Sequence, residues 1–152
     1  MAFDVFLKLD GIQGESTVKG HEGEIELDSF SFGLTNPGGA GKPVFQDFHF
    51  TSKVGKQSPQ IFLACAQGAK IRSGLVTLDS VSGGKLVPDL KIAFDVVSIT
   101  EHKVMDIASL KLEDAVSPQG GLITSGPEDS VSFSFGRVTI SSGGTTASLF
   151  PG

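Results

Sequence analysis

Alternation of apolar and polar residues recurs along most of the chain and predicts a protein built from β-strands. Phe3, Val5, Leu7 and Leu9 occupy every second position at the N-terminus, which is typical of a strand with one buried face. The same pattern predicts further strands over Glu24–Gly33, Val44–Thr51, Leu75–Val81, Leu86–Ile99 and Val131–Ile140, with Gly83-Gly84 as the turn between the third and fourth of these.

Three of these predicted strands change which face carries the apolar residues. In the predicted strand Glu24–Gly33, one extra residue must enter near Asp28-Ser29, or the strand must change which face is buried. Similar shifts occur after Val96 and at Gly136-Arg137. Strands that bend to serve two packed layers behave in this way. The sequence therefore predicts an all-β fold with one short helix, a two-sheet β-barrel or sandwich.

The predicted helix follows the strand that ends near Thr51. Ser58 is the expected N-cap, Pro59 suits the first helical position, and Gly68 is the expected C-terminal stop. The helix body Ile61–Ala66 carries no charge, so we expect it to be covered on most sides. Cys65 within it is interpreted as a small buried apolar residue.

The remaining part of the chain is less regular. Residues 1–152 are predicted to form one domain, with 141–152 as a flexible Gly/Ser/Thr-rich tail. Thr100–Asp129 has the weakest pattern; there we predict a short strand at Leu110 and Leu112, with turns at Ser117–Gly121 and Ser125–Pro127.

Composition narrows the classes of function. The net charge of −5, without a Lys/Arg cluster, argues against binding nucleic acid or an anionic membrane. A single cysteine excludes an internal disulfide. Asp4, Lys8 and Asp10 interrupt any apolar N-terminal run, so no signal peptide and no membrane span is predicted. The chain is expected to be made as a cytoplasmic protein.

The sequence has no motif typical of a catalytic or ligand-binding site. His21, His49 and His102 are scattered without metal-ligand spacing, and no serine lies in a G-x-S-x-G turn. The Gly38–Lys42 run is not a phosphate-binding loop, since Pro43 stands where that motif needs Ser or Thr. We therefore predict no catalytic residue, no metal and no cofactor, and no enzymatic activity.

One long connection has no explanation in the fold alone. Residues Thr35 to Lys42 are too many for a tight hairpin turn. They are either a flexible hairpin end or a contact arm that becomes ordered against another copy of the chain. Long strands in a small domain also leave edges that must be covered or paired.

Several short segments together resemble the haemolysin-coregulated protein (Hcp) family of the bacterial type VI secretion system. They recur in the same order, over about residues 1–100 and again at Val131–Ser141: Met1–Leu9, Gly14–Ser16, Gly20-His21 with Glu24-Ile25, Ser29–Gly33, Gln46–Phe48, and Ser58-Pro59 through Cys65 and Gly68.

The resemblance implies a β-barrel with one helix that assembles into a six-membered ring with a wide lumen. Rings would stack into the inner tube, and the tube would leave the cell when a sheath contracts, carrying or protecting effectors in its lumen. The implied partners are further copies of the chain, the sheath, the tip (VgrG-like) protein and effectors. The protein would be cytoplasmic when assembled and extracellular after secretion.

The resemblance also assigns two sites by position. Ser31 is similar to the lumen-facing position implicated in cargo contact. The loop is similar to the arm that reaches a neighbouring subunit or ring, and it comprises Thr35, Asn36, Pro37, Gly38, Gly39, Ala40, Gly41 and Lys42. Thr100–Asp129 is longer than expected for this family. The alternative interpretation is a monomeric β-barrel that binds a ligand in a closed internal pocket.

Overall fold

Nine strands and one α-helix form the part of the chain described by the computed structural model, which covers residues 3–39, 41, 43–82, 85–106 and 127–150. The elements are β1 Phe3–Leu9, β2 Ile25–Ser31, β3 Leu34–Thr35, β4 Val44–Phe45, β5 Phe48–Lys53, α1 Gln57–Gln67, β6 Lys70–Ser82, β7 Lys85–Asp106, β8 Pro127–Ser142 and β9 Thr145–Leu149.

Seven of the strands share one antiparallel sheet that closes on itself. Their order is β5-β2-β1-β6-β7-β8-β9, and β5 also pairs with β8. Six strands therefore form a closed barrel, while β9 extends the sheet beyond it. The predicted all-β barrel with one helix is confirmed. β3 and β4 form a separate two-stranded sheet.

The predicted extra residue in β2 is confirmed. The register between β2 and β5 shifts between Leu27 and Ser29, leaving Asp28 as the inserted residue. The insertion turns Phe30 towards the barrel interior, where its ring stacks on that of Phe48 at a centroid distance of 5.7 Å. A bulge thus lets one strand supply apolar residues of both odd and even number to the same core.

The change of face in β7 takes place at a strained residue. Val96 has φ 56°, a left-handed conformation that is a true outlier for a β-branched side chain. Phe94, two residues before it, and Val97, directly after it, are both fully buried, whereas Val96 is 51% exposed. Gly136 of β8 lies beside it, where an added Cβ would come within 3.4 Å of Val96 Cβ. Strands β7 and β8 therefore change which of their faces is buried at the same level of the barrel.

We expect Val96→Gly to raise the free energy of unfolding by about 0.5–1 kcal/mol. A left-handed conformation costs a non-glycine residue about 1–2 kcal/mol, and glycine avoids this cost. The greater backbone entropy that glycine loses on folding offsets roughly 0.5–1 kcal/mol of that gain. Urea unfolding followed by circular dichroism measures the change. The buried neighbour provides the matched control, since Val97→Gly should be strongly destabilising. A clear loss of stability in Val96→Gly would mean that the left-handed backbone carries no strain.

Phenylalanine rings fill the interior of the barrel. Phe48, Phe94 and Phe133 are all 0% exposed. The Phe133 ring centroid lies 5.0 Å from those of both Phe48 and Phe94. Phe50 of β5 is buried beside them, so the predicted strand Val44–Thr51 contributes to the core as the sequence predicts. Rings in stacked, tilted and edge-to-face contact at these distances stabilise the fold beyond the area they bury.

The helix differs from its prediction at one end and on one face. Gly68 ends it in the left-handed conformation, as predicted, with φ 62°. The helix begins at Gln57 rather than after Ser58, and Lys56 is at the N-cap position. The Ser58 hydroxyl, inside the first turn, donates to buried Asp129 and accepts from the Gly55 N–H before the helix. The expected cover on most sides is wrong, since Phe62 and Leu63 are 64% and 55% exposed. One face of the helix packs on the barrel and the other stays open.

The tail prediction needs a correction. Ser141 and Ser142 end β8, and Thr145–Leu149 form β9, which is hydrogen-bonded to β8 from Val138↔Leu149 to Ser142↔Thr145. Threonine-rich segments suit a pleated strand when a partner is available, and β8 supplies that partner. The predicted Gly83-Gly84 turn, the strand at Leu110 and Leu112 and the turns at 117–121 and 125–126 lie outside the described residues.

Candidate assembly and passenger-contact surfaces

The predicted arm is a small structured hairpin. Leu34 and Thr35 of β3 pair with Phe45 and Val44 of β4. A 3-10 turn at Pro37–Gly39 lies in the connection between these two strands. Gly39 N–H donates to the Asn36 carbonyl, and Gly41 N–H donates to Asn36 Oδ1. Ala40 and Lys42 lie outside the described residues. Within the described part the arm has its own hydrogen bonds, so it is more than a flexible connection.

The arm presents its side chains to solvent. Thr35, Asn36, Pro37, Gly38, Gly39 and Gly41 are all exposed. The φ angles of Gly38, Gly39 and Gly41 lie between 65° and 83°, a region that glycine enters without strain. Leu34 and Val44 at its base are 47% and 59% exposed. Apolar side chains on a projecting hairpin, uncovered by its own barrel, are typical of a contact surface.

Ser31 lies at the base of this arm. It ends β2 opposite His49 of β5, and its hydroxyl accepts a 2.8 Å hydrogen bond from Gln46 Nε2. Phe30 and Phe32 beside it pack on the barrel interior, on Phe48 and Phe94 respectively. The alternation of a strand therefore points Ser31 away from the core. The structure thus brings the two predicted sites, Ser31 and the arm, next to each other.

The open edges are fewer than the sequence suggests. Closure of the barrel through β5 and β8 pairs those two strands on both sides over much of their length. Strand β9 is different, because it pairs only with β8 among the described strands and all five of its residues are exposed. It carries no charge and no proline, the usual protections of an edge.

A second apolar surface lies on the helix. Phe62 and Leu63 flank a groove of ≈ 530 Å³ whose other wall includes Val104 of β7. Val104 is 57% exposed and Val54, at the same groove, is 40% exposed. The arm, β9 and this groove are distinct surfaces, so they could bind different parts of a neighbouring molecule.

His21 is held in place by two acidic side chains, an arrangement that the sequence did not predict. Its Nδ1 lies 2.9 Å from Glu24 Oε1 and its Nε2 lies 2.6 Å from Asp79 Oδ2. The imidazole also stacks on Phe6, with ring centroids 4.0 Å apart. Burial by itself lowers the pKa of His21, but the hydrogen bonds and charges of Glu24 and Asp79 together raise it above 6.5. His21 therefore ties the β1–β2 connection to β6.

We expect the pH dependence of stability to reveal this histidine. Because its pKa is raised on folding, the stabilisation is complete below 6.5 and is lost as pH rises through the raised folded-state pKa. Unfolding free energies measured from pH 6 to 8.5 should fall for the native sequence, and the fall should be smaller in His21→Gln. His49→Gln is the control and should keep the fall. An unchanged slope in His21→Gln would contradict the assignment.

Two acidic side chains, Asp28 at the bulge of β2 and Glu128 near the start of β8, interact with each other. A side-chain hydrogen bond with Asp28 raises the pKa of Glu128 to about 7, with burial and the charge of Asp28 acting in the same direction. Lys53 lowers it, and its Nζ lies 3.5 Å from Asp28 Oδ2. With a pKa of about 7, Glu128 is only partly ionised near neutral pH.

A serine, a histidine and an aspartate meet below the helix, but not in the order that catalysis needs. Asp129 stands in the middle: the Ser58 hydroxyl donates to its Oδ2, and its Oδ1 lies 2.9 Å from His102 Nε2. A nucleophilic serine needs the imidazole, not the carboxyl group, as its direct partner. The His102 and Asp129 side chains are only 2% and 0% exposed, so this cluster joins α1 to the barrel.

Among the described residues, no group of three or more His, Cys, Asp and Glu side chains is placed to hold a metal ion. The helix found there is too short to cross a membrane.

Comparison with known proteins gives consistent matches over most of the chain. The family described as "Type VI secretion system effector, Hcp" matches residues 6–141. Protein hcp1 of Pseudomonas aeruginosa is 32% identical over 108 residues, which are 66% of this chain and 67% of that protein.

Solved structures share the fold. The crystal structure of Hcp1 from Salmonella typhimurium superposes with a TM-score of 0.74 at 26% identity, covering 97% of this chain and 92% of the other. A type VI secretion system effector from Yersinia pestis superposes with a TM-score of 0.76 at 24% identity, covering 97% and 99% of the two chains. At that lower identity the likeness concerns the fold alone.

Proposed function

The chain belongs to the Hcp family of the type VI secretion system, and from that premise we propose that it is a subunit of the system's inner tube. In this proposal six copies close into a ring, rings stack into a tube, and the tube holds effectors in its lumen until the sheath contracts. The proposed role is structural, without catalysis. The protein would be assembled in the cytoplasm and would leave the cell through the secretion system.

The observation that carries the ring is the set of unlike contact surfaces on a closed barrel. The arm, the open edge of β9 and the apolar groove of α1 are exposed at different places. A ring needs a heterologous interface, in which one surface of each copy meets a different surface of the next. Sheath, tip protein and effectors would then contact the assembled ring.

Mass measurement and electron microscopy test the ring directly. Light scattering should give about 95 kDa for six copies of the 15.8 kDa chain, and negative-stain images should show rings with an open centre. A monomer of 15.8 kDa over a wide concentration range would contradict the proposal.

The alternative of a ligand-binding monomer gains no support from the barrel interior. Phe48, Phe50, Phe94 and Phe133 occupy it, each 0% exposed. A ligand-binding barrel of this size needs space between its walls. The apolar groove of α1 lies outside the barrel and is open to solvent. Uptake of an apolar dye with a fixed stoichiometry by isolated monomers would be needed to favour this alternative.

Deletion of Gly38–Gly41 should impair ring closure or stacking much more than folding. The described residues of this segment are exposed, so their removal takes away almost no buried apolar area. We expect the unfolding free energy of the monomer to change by less than about 1 kcal/mol, since surface loop changes are usually mild. Light scattering and urea unfolding measure the two effects. Loss of folding in the deletion variant would contradict the assignment of this segment to contacts.

A further inference from the structure

Residues 14–24, which we call the strap, contact the start of α1. Lys56 is at the N-cap position of this helix, and its side chain makes no cap hydrogen bond. Its backbone N–H is one of the groups at a helix start that have no partner within the helix. Glu15 of the strap supplies the partner, because its Oε2 accepts a 2.9 Å hydrogen bond from the Lys56 N–H. A carboxylate is also the charge that the helix dipole favours at this end.

The strap is held in its own shape at Glu24. The Ser16 N–H donates to the Glu24 carbonyl oxygen at 3.0 Å, and the Gly14 N–H donates to the Gly23 carbonyl oxygen at 2.8 Å. Gly14 lies so close to Glu24 that an added Cβ would collide with that carbonyl group. Glu15 stands between Gly14 and Ser16, so a change at Glu24 reaches the contact with α1.

His21 of the strap faces two carboxylate oxygens, and only its protonated form can donate to both. Glu24 Oε1 lies 2.9 Å from Nδ1, and Asp79 Oδ2 lies 2.6 Å from Nε2. A neutral imidazole has one N–H and one bare nitrogen, whereas an imidazolium has two N–H groups. The geometry is therefore that of the imidazolium, in agreement with the raised pKa of His21.

Other charged residues on the elements around His21 do not hydrogen-bond to its ring. They are Asp4 and Lys8 of β1, Lys19 and Glu22 of the strap, Glu26 of β2 and Lys91 of β7. Both ring nitrogens are already occupied by Glu24 and Asp79. Those two acidic groups are also the charges that raise the pKa of His21. The proton on the imidazole thus depends on this pair.

Loss of that proton is expected to release Glu24 and not Asp79. The Asp79 side chain is 4% exposed, and its Oδ1 is buried without a hydrogen-bond partner among the described residues. Taking the N–H away from Oδ2 as well would leave a buried carboxylate with no partner, which is costly. The Glu24 side chain is 14% exposed and can reach water. The neutral ring therefore keeps its N–H on Nε2 and turns a lone pair towards Glu24.

We propose that His21 and the strap form a pH-dependent restraint on the start of α1. While the imidazole is protonated, Glu24 is held and Glu15 keeps its hydrogen bond to the Lys56 N–H. When the Nδ1 proton passes to water, the Glu24 side chain is freed, the strap loosens and the Lys56 N–H loses its partner. Neighbouring residues, among them Pro59, line the apolar groove of α1, so the restraint also fixes one wall of that groove. This property belongs to the single chain and does not require a ring.

Hydrogen–deuterium exchange followed by mass spectrometry tests whether the strap and the helix start respond to pH together. Exchange is measured at pH 6 and pH 8.5 on peptides that cover residues 11–24, 54–60 and 91–99, and each rate is divided by the intrinsic chemical rate at that pH. Protection of the first two should be about 10-fold lower at pH 8.5, the effect of losing about one hydrogen bond to a charged group. The third, in β7, should keep its protection. Unchanged protection, or a loss confined to 11–24, would overturn the proposal.

The midpoint of this transition identifies the groups that control it. Glu24→Gln keeps an acceptor oxygen but removes a charge that raises the pKa of His21, so the loss of protection should move to lower pH. Glu22→Gln is the matched control, because it removes the same charge from an exposed position of the strap and should leave the midpoint unchanged. A purely structural Glu24 would alter protection equally at every pH. That result, or an equal shift in both variants, would contradict control by His21.

Discussion

Phe48→Ala is expected to lower the free energy of unfolding by about 3–5 kcal/mol, the typical cost of emptying a buried aromatic position. The ring is fully buried and lies within 6.2 Å, centroid to centroid, of the rings of Phe50, Phe94 and Phe133. Its strand β5 also closes the barrel between β2 and β8. A cavity at this position therefore destabilises the pairing of β5 with β8 that closes the barrel.

Circular dichroism is the suitable probe for this measurement, because the chain contains neither Trp nor Tyr. Phe150→Ala provides the matched control. That ring is 72% exposed and lies 5.3 Å below the Arg137 guanidinium, so its removal should cost less than about 1 kcal/mol. Equal losses in the two variants would mean that Phe48 is not in the core described above.

Asp129→Ala is expected to cost about 2–5 kcal/mol, because it leaves two buried polar groups without their partner. The Ser58 hydroxyl and His102 Nε2 both hydrogen-bond to this carboxyl group, which is completely buried. The three residues come from α1, β7 and β8, so the change also loosens the helix from the barrel.

Two further variants separate the contributions to this cluster. Ser58→Ala removes one of the two hydrogen bonds and should cost about 1–2 kcal/mol. Asp95→Ala, at an exposed position of β7, should change stability by less than about 0.5 kcal/mol. If Asp129→Ala unfolds at the same urea concentration as Asp95→Ala, the buried cluster contributes nothing to folding.

The polarity pattern predicted the strands because side-chain direction alternates within a few residues. The bulge near Asp28-Ser29 and the change of face after Val96 were both readable, since each interrupts a period of two. Gly68 could be identified as the helix end for a similarly local reason, its freedom to adopt a positive φ. The family resemblance was also carried by short segments, and the comparisons confirm it.

Other features depended on residues far apart in the chain. His21 has no partner that its sequence neighbourhood reveals at long range, but Asp79, 58 positions later, binds its ring. Asp129 ends the segment with the weakest pattern, yet β8 carries it beneath α1 and buries it.

Local sequence therefore determined where strands and the helix form and which of their faces are apolar, because those preferences act over a few neighbouring residues. Tertiary structure decided that β5 joins β8 to close the barrel, that β9 is a strand, and which polar groups are buried. Those outcomes depend on which strand supplies the hydrogen-bond partner, and the partner's distance along the chain leaves no mark on the pattern of either strand.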